Sequence, residues 1–559
     1  MSYLTEVHLL NVPLENDYKN TLYFANRDAQ TSYFLSRKVL QFTELSYQRK
    51  DYKINVPKHY DDLQICNYVM YRNPNHTTKW YYAFITEMKY INDEMTEVYI
   101  ETDCMQTWFF DFVIKESFVE REHTADDTFG LNTIPESFEL GEFVVNRQFD
   151  RIYNDVYVIV ASNYDPYTKV EWSGLTLQGG MPQGVQWFAF HLSPNIIGDA
   201  THEKYAVEFN ALQDFIMQTA KAGKSDFIQQ MFVVPANALD LDKINENRKL
   251  TTTSITHPQY EEIQFPRLKN LAGYTPKNNK LLCYPFCYVL ATNNAGTTAT
   301  YKFEDFYYYF RSEEDASITD GEMHFVDCKF GVDFVPCIGC SIKMYPIQYK
   351  GTEYDSMNYS TMTAGDYRVT SGFQDEGFMC AKFPTLSWSS DAFTNWLTQN
   401  SINIAGNIMS GALNTAGGVA TGGVAGGVGG ALNGITNAVT PIWNAQFIPN
   451  TAQGNVNGGD VNFSAENIGF FFYLMSIKPE YAKTIDDYFT MFGYKTNRVK
   501  IPNKNHRQRF WFTKTIDINI DGAIPNKDMQ VIKNCYNNGI TFWKNANDIN
   551  NYTASNSII

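Results

Sequence analysis

Short aromatic and β-branched runs separated by turn residues fill most of the first 141 positions, as they do in strands with one buried face. Residues 80–85 and 98–100 are the clearest of these runs, and Asn92-Asp93-Glu94 between them predicts the turn of a hairpin. Residues 155–161 form a continuous apolar run and 186–190 another, the second introduced by a turn at 179–184. The period then changes. Tyr205, Phe209, Leu212, Phe215, Ile216 and Ala220 fall on one face of a helix that ends at Gly223 and packs on a sheet. Nearer the C-terminus, residues 469–477 predict a strand of high aromatic density. Tyr481, Ile485, Tyr488, Phe489 and Phe492 predict a helix over 480–492, stopped by Gly493. Ile516, Ile518 and Ile520 alternate with Asp517, Asn519 and Asp521, which predicts one strand with a buried and a wet face. A last helix is expected over 528–536, capped by Gly539. The whole pattern is mainly β with a few helices, of the α+β kind.

One stretch breaks it. Residues 392–459 contain no Lys, Arg, Asp, Glu or His, whereas charged residues make up 19% of the chain. Gly418, Gly422, Gly426, Gly430 and Gly434 recur at every fourth position, with Val419, Val424, Val428 and Leu432 between them. On a helix these glycines form a continuous stripe that lets backbones touch in lipid. In water the same glycines cost about 1 kcal/mol each relative to alanine. A flexible linker is the plain alternative, but linkers favour Ser, Pro and charge. This stretch instead keeps Ile402, Ile404, Ile408, Met409, Leu413, Ile435, Val439, Ile442 and Trp443. A permanent transmembrane helix is disfavoured by Asn403, Asn407, Asn414, Asn433 and Asn437, which leave no run of about 18 apolar residues. A segment plugged away in one state and membrane-inserted in another fits best.

The chain has 559 residues, enough for several domains, and an aromatic content of 15% that suits strands and interaction surfaces. Its net charge of −16 argues against a protein that grips nucleic acid electrostatically, although a conduit through which DNA slides remains compatible. Nine scattered cysteines do not read as a disulfide framework, so synthesis in a reducing cytoplasm is expected. The N-terminal residues have neither a basic region nor an apolar core, and no signal peptide is expected.

Several segments carry a family likeness. Asn16-Asp17-Tyr18-Lys19-Asn20-Thr21, residues 79–87, Gln106-Thr107-Trp108 and residues 116–123 resemble the tail knob, or distal tail tube, proteins of small short-tailed phages of Gram-positive bacteria. Residues 493–500 and 538–543 repeat the likeness near the C-terminus. The resemblance implies a hexameric ring of β-rich tube and knob domains at the tip of a virion tail, closed by long hydrophobic loops that are released at the cell membrane. It implies a tube-forming domain over 1–145, a knob body over 146–385, a membrane-active loop over 386–465 and a C-terminal α+β part over 466–559 that completes the tube. The partners expected are five further copies, an upper tail tube or collar protein, the host membrane, and viral DNA passing through without tight binding. Cell-wall glycan held on aromatic surfaces is an added role.

Candidate chemistry is sparse. Cys337 and Cys340, with Cys328 and His324 upstream, have the spacing of half a zinc site, but Cys283 and Cys287 complete it only loosely, and buried thiols are the plainer reading. The acidic group Glu313, Glu314, Asp315, Asp320 and Glu322 lacks the order of a calcium loop and reads as a solvated turn. No nucleophile elbow, zinc-protease motif or phosphate-binding lysine is present, so no enzyme, metal or cofactor is expected. The basic run Lys495, Arg498, Lys500, Lys504, His506, Arg507 and Arg509 is the one place where DNA contact can be argued; an intersubunit or solvated edge is the alternative. A secreted pore-forming toxin would share the apolar loop, and a cell-wall adhesin would share the aromatic surfaces.

Overall fold

The computed structural model describes residues 5–48, 52–75, 77–171, 259–294, 297–309, 323–335, 341–350, 379–382, 385–387 and 468–559, with parts of 177–250. Two compact units are present. The first takes Met1–Glu142, Gly273–Phe286 and Ile477–Ile559; the second takes Phe143–Ala272 and Cys287–Ser476.

In the first unit the chain forms β1 (Thr5–Leu10), β2 (Asn20–Leu22), α1 (Arg27–Ser36), β3 (Lys38–Leu45), β4 (Tyr47–Gln48), β5 (Lys53–Val56), α2 (Tyr60–Leu63) and β6 (Tyr68–Arg72). There follow β7 (Tyr81–Asn92), β8 (Met95–Thr102), α3 (Cys104–Trp108), β9 (Phe112–Ile114) and β10 (Ser117–Glu122). The C-terminal stretch adds α4 (Pro479–Phe492), β11 (Tyr494–Lys500), β12 (Phe510–Ile516), β13 (Ile520–Gly522), α5 (Asn526–Asn538) and β14 (Ile540–Trp543). Seven strands make one sheet in the order β3-β1-β6-β7-β8-β5-β4, with the expected β7–β8 hairpin in its middle. Both faces of this sheet are covered. Val7, Leu9, Val69 and Ile100 pack on one side, while Leu10, Tyr68, Tyr82 and Phe84 meet Phe34 of α1 and Trp543 of β14 on the other.

The second sheet of this unit runs β2-β14-β12-β10-β11, so strands from the two ends of the chain share one ladder. Helix α4 opens with Pro479 at its first turn and stops at Gly493, whose φ of 65° lies in the left-handed region. The expected buried stripe of α4 is narrower than the pattern suggests. Ile485 and Phe489 are buried, whereas Tyr481 is 38% exposed, its ring against Gly141. The strand predicted through Ile516, Ile518 and Ile520 is broken. Asp517 takes φ 54°, which ends β12 and restarts the chain at β13, leaving Ile516 54% exposed while Ile518 is fully buried. Alternation alone does not register such a kink.

The second unit is built of antiparallel sheets. The expected strands appear as Val156–Ser162 and Gln186–Leu192, which pair directly in a five-stranded sheet. Of the helix predicted over 205–220, residues 211, 212, 214–219 and 221 are described and helical; Tyr205, Phe209 and Ala220 fall outside. Phe215 packs on Phe188 and Phe190 at 4.7 and 5.4 Å between rings, so this helix does lie on a sheet. The aromatic strand is Gly469–Ile477, and its Phe472 meets Phe265 and Phe330 at 5.2 and 4.9 Å in the core.

Residues 392–459, Cys337, Cys340 and the acidic group 313–322 lie outside the described residues. Among the described residues no helix is long and apolar enough to cross a membrane, and no group of three metal-binding side chains occurs.

Candidate nucleic-acid-facing segment

The basic run occupies β11, the loop after it and the start of β12. Its strand is the outermost of the five-stranded sheet and pairs with β10, with Phe118 opposite Val499 and Ser117 opposite Lys500. Three of its cations, Lys500, Arg507 and Arg509, are committed to the protein itself. Lys500 Nζ donates to Glu122 Oε1 at 2.5 Å, and Asn503 N donates to the other oxygen at 2.8 Å. Burial pushes the Glu122 carboxyl above its ordinary range, and these donors draw it partly back. Arg509 holds Asp548 through two nitrogens, at 3.1 and 2.6 Å. Arg507 is 9% exposed and donates to the carbonyls of Thr124 and Asn556 at 3.0 and 3.4 Å. Lys495 donates its backbone N–H to Glu136 at 2.9 Å. Of the five residues singled out for DNA contact, Arg498 alone is exposed. The arrangement does not assemble them into a common cationic surface.

What the basic strand joins is a buried polar network, and the family-like segments are its members. Glu136 receives Lys280 Nζ at 2.6 Å and pairs with Arg121, which also donates to the carbonyl of Gly493 at 2.7 Å. His123 is locked as one neutral tautomer. Its Nδ1 accepts Phe512 N–H at 2.7 Å and its Nε2 donates to the Thr490 carbonyl at 3.0 Å; burial pushes its pKa down to about 3. Gln106, fully buried, donates to Thr21 Oγ1 and the Leu22 carbonyl at 2.9 and 2.8 Å. Thr107 satisfies both the N–H and the carbonyl of Tyr82, and Trp108 Nε1 donates to Asp528 at 2.9 Å. Trp543 Nε1 donates to Asn20 at 2.8 Å.

Residues 280–285 carry a short family likeness in the sequence, but sequence reading did not place Gly273–Phe286 in the first unit. Asp486 of α4, fully buried, accepts Tyr274 Oη and Lys277 N at 2.7 Å and Asn278 N at 3.1 Å. Asp127 accepts Asn279 N at 3.0 Å. A carboxylate at a buried helix position is the only sequence signal of this, because the partners lie some two hundred positions away.

These observations describe a scaffold whose chemistry is hydrogen bonding and ion pairing. A family model described as the C-terminal domain of tail knob protein gp9 of Bacillus phage phi29 matches residues 243–557. The chain belongs to the phage tail knob family. A second model, the N-terminus of caudoviral major tail proteins, matches residues 3–115 of this tail knob chain. Tail knob protein gp9 of Bacillus phage phi29 is 26% identical over 99% of this chain and 98% of its own length; that of Bacillus phage B103 is 27% identical over the same shares. The solved tail knob protein gp12 of bacteriophage C1 has the same fold, with a TM-score of 0.60, 15% identity and full coverage of both chains. The mainly β reading thus holds for the described residues, the family likeness covers 99% of the chain, and the protein is a structural component of a phage tail.

Proposed function

We propose that six copies of this chain form a ring at the tail tip, that DNA leaves the virion through its channel, and that residues 386–465 plug the channel and then enter the host membrane. The single observation that carries the membrane step is the uncharged, glycine-laddered stretch at 392–459 in a tail knob protein. Residues 402–439 supply two arms of about 18 residues, each roughly 27 Å as a helix, close to the bilayer's hydrocarbon thickness of about 30 Å. A conduit needs a lining that does not hold phosphates. The net charge of −16 and the internal pairing of Lys500 and Arg509 support that.

The test is dye release from anionic liposomes by the full chain and by Val424→Asp, compared across pH. A charge at mid-membrane costs about 2.5–3.5 kcal/mol per copy on insertion scales, so the variant should lose leakage while keeping its assembly state. Equal leakage from both proteins under every condition would leave the stretch as a plug or linker only.

A further inference from the structure

A cleft of about 770 Å³ opens in the first unit between the loop that leaves β1, the end of α1 and the turn Ala546–Asp548 that follows β14. Its size falls within the roughly 300–1,000 Å³ of small-molecule sites, but those are lined mainly by apolar and aromatic side chains with a few polar groups. Here the proportion is reversed. Four side-chain amides line it, those of Asn11, Asn67, Asn547 and Asn550, and no aromatic ring is among its described lining residues. The Glu15 carboxylate lines it too, with Arg37 and Lys38 as the cations.

The walls are fixed by bonds of their own. Asn67 Nδ2 donates to the Val12 carbonyl at 2.6 Å and its Oδ1 accepts the Val12 N–H at 2.9 Å, which pins the loop to the start of β6. Arg37 donates to Asn547 Oδ1 at 3.3 Å from a position over the Tyr33 ring, and Lys38 Nζ donates to Gln41 at 2.6 Å. Asn550 Oδ1 accepts Asn20 Nδ2 at 3.2 Å. Beneath them Val12, Leu14 and Ala546 belong to the buried core, and Ile549 packs against it. The side chains of Asn11 and Glu15 are different. Both are exposed, and neither makes a hydrogen bond or ion pair among the described residues.

These open groups decide the class of ligand. A phosphate or carboxylate offers only acceptors and would meet the Glu15 carboxylate. An apolar molecule would leave the amides and the carboxylate unpaired. A sugar hydroxyl donates and accepts at once, and an acetamido group carries one N–H, one carbonyl and a methyl, the complement of a primary amide beside apolar side chains. We propose that this cleft binds a neutral, N-acetylated sugar of a glycan chain. Glu15 accepts from its hydroxyls, Asn11 pairs with the acetamido group, and Pro13 and Ile549 cover the methyl. Sugar binding here depends on neither the ring nor the membrane step proposed above.

The experiment is saturation-transfer NMR on the full chain with tri-N-acetylchitotriose and maltotriose as probes, inorganic phosphate as competitor, and circular dichroism as the check on folding. Transfer to tri-N-acetylchitotriose should saturate on titration and be strongest at the acetyl methyl protons. Maltotriose should bind at least about tenfold more weakly, and excess phosphate should displace neither sugar. Asn11→Ala with Glu15→Ala, at two exposed positions without partners in the chain, should weaken binding of the acetylated sugar at least about tenfold with the fold unchanged, as expected for losing hydrogen bonds to an ionised group. No transfer to the acetylated sugar, equal binding by the double variant, equal binding of maltotriose, or displacement by phosphate would each overturn the assignment.

Discussion

His123 shows what a single side chain does in this scaffold. Protonation would place a second N–H against the Phe512 N–H that Nδ1 now accepts, in a site without water access. Its folded pKa is about 3 against an unfolded value near 6.5, so between those pH values the unfolded chain binds the extra proton. The stability that neutral His123 contributes is therefore full above about pH 6.5 and is lost progressively as pH falls toward 3. By pH 4.5 the wild type should have lost roughly 2–3 kcal/mol relative to His123→Gln, which is itself about 1–3 kcal/mol less stable at pH 7.5. Urea unfolding of both proteins at the two pH values measures this, and a gap that does not change with pH would contradict a neutral, buried imidazole. Nothing in the local sequence around His123 announces this role, because Thr490 and Phe512 reach it from more than 360 positions away.

At the scale of elements, local chemistry was legible where it decides the backbone. The β7–β8 turn, the aromatic strand Gly469–Ile477 and the stops at Gly493 and Gly539 follow from turn residues and periodicity. The kink at Asp517 was not legible, because apolar alternation continues through it while the chain changes partner from β10 to β9. Nor was the place of Gly273–Phe286, which is fixed by Asp486 and Asp127 from distant elements. Of the basic run, spacing gave the cluster but not its use: the carboxylates that claim Lys500 and Arg509 lie elsewhere in the sequence. Gly493 carries a sharp expectation. A Cβ there would sit 2.1 Å from the Glu122 carbonyl oxygen, in backbone that cannot move without parting β10 from β11. Gly493→Ala should cost more than about 3 kcal/mol or prevent folding, whereas Gly223→Ala, also at positive φ but with nothing within 4 Å, should cost only about 1 kcal/mol. Thermal unfolding of the two variants separates these outcomes; similar losses would mean that the left-handed conformation, not the close approach, governs Gly493.

At the scale of the whole molecule, the two ends of the chain close one sheet, and family-like segments 106–108, 116–123, 493–500 and 538–543 are the residues that tie it. The described strands of that sheet all come from residues 20–22, 117–122, 494–500, 510–516 and 540–543, which motivates the expectation that residues 392–459 can be removed without loss of the scaffold. Composition made the segment visible, since 68 residues without charge are evident in any sequence. Composition says nothing about symmetry, because a ring is a property of surfaces on different copies. The most direct measurement is electron microscopy of the purified full chain beside a variant lacking residues 392–459. The account predicts six-fold rings with a central channel for both proteins, with density in the channel of the full chain that is missing from the deletion. Particles without six-fold symmetry, or a deletion that no longer forms rings, would contradict it.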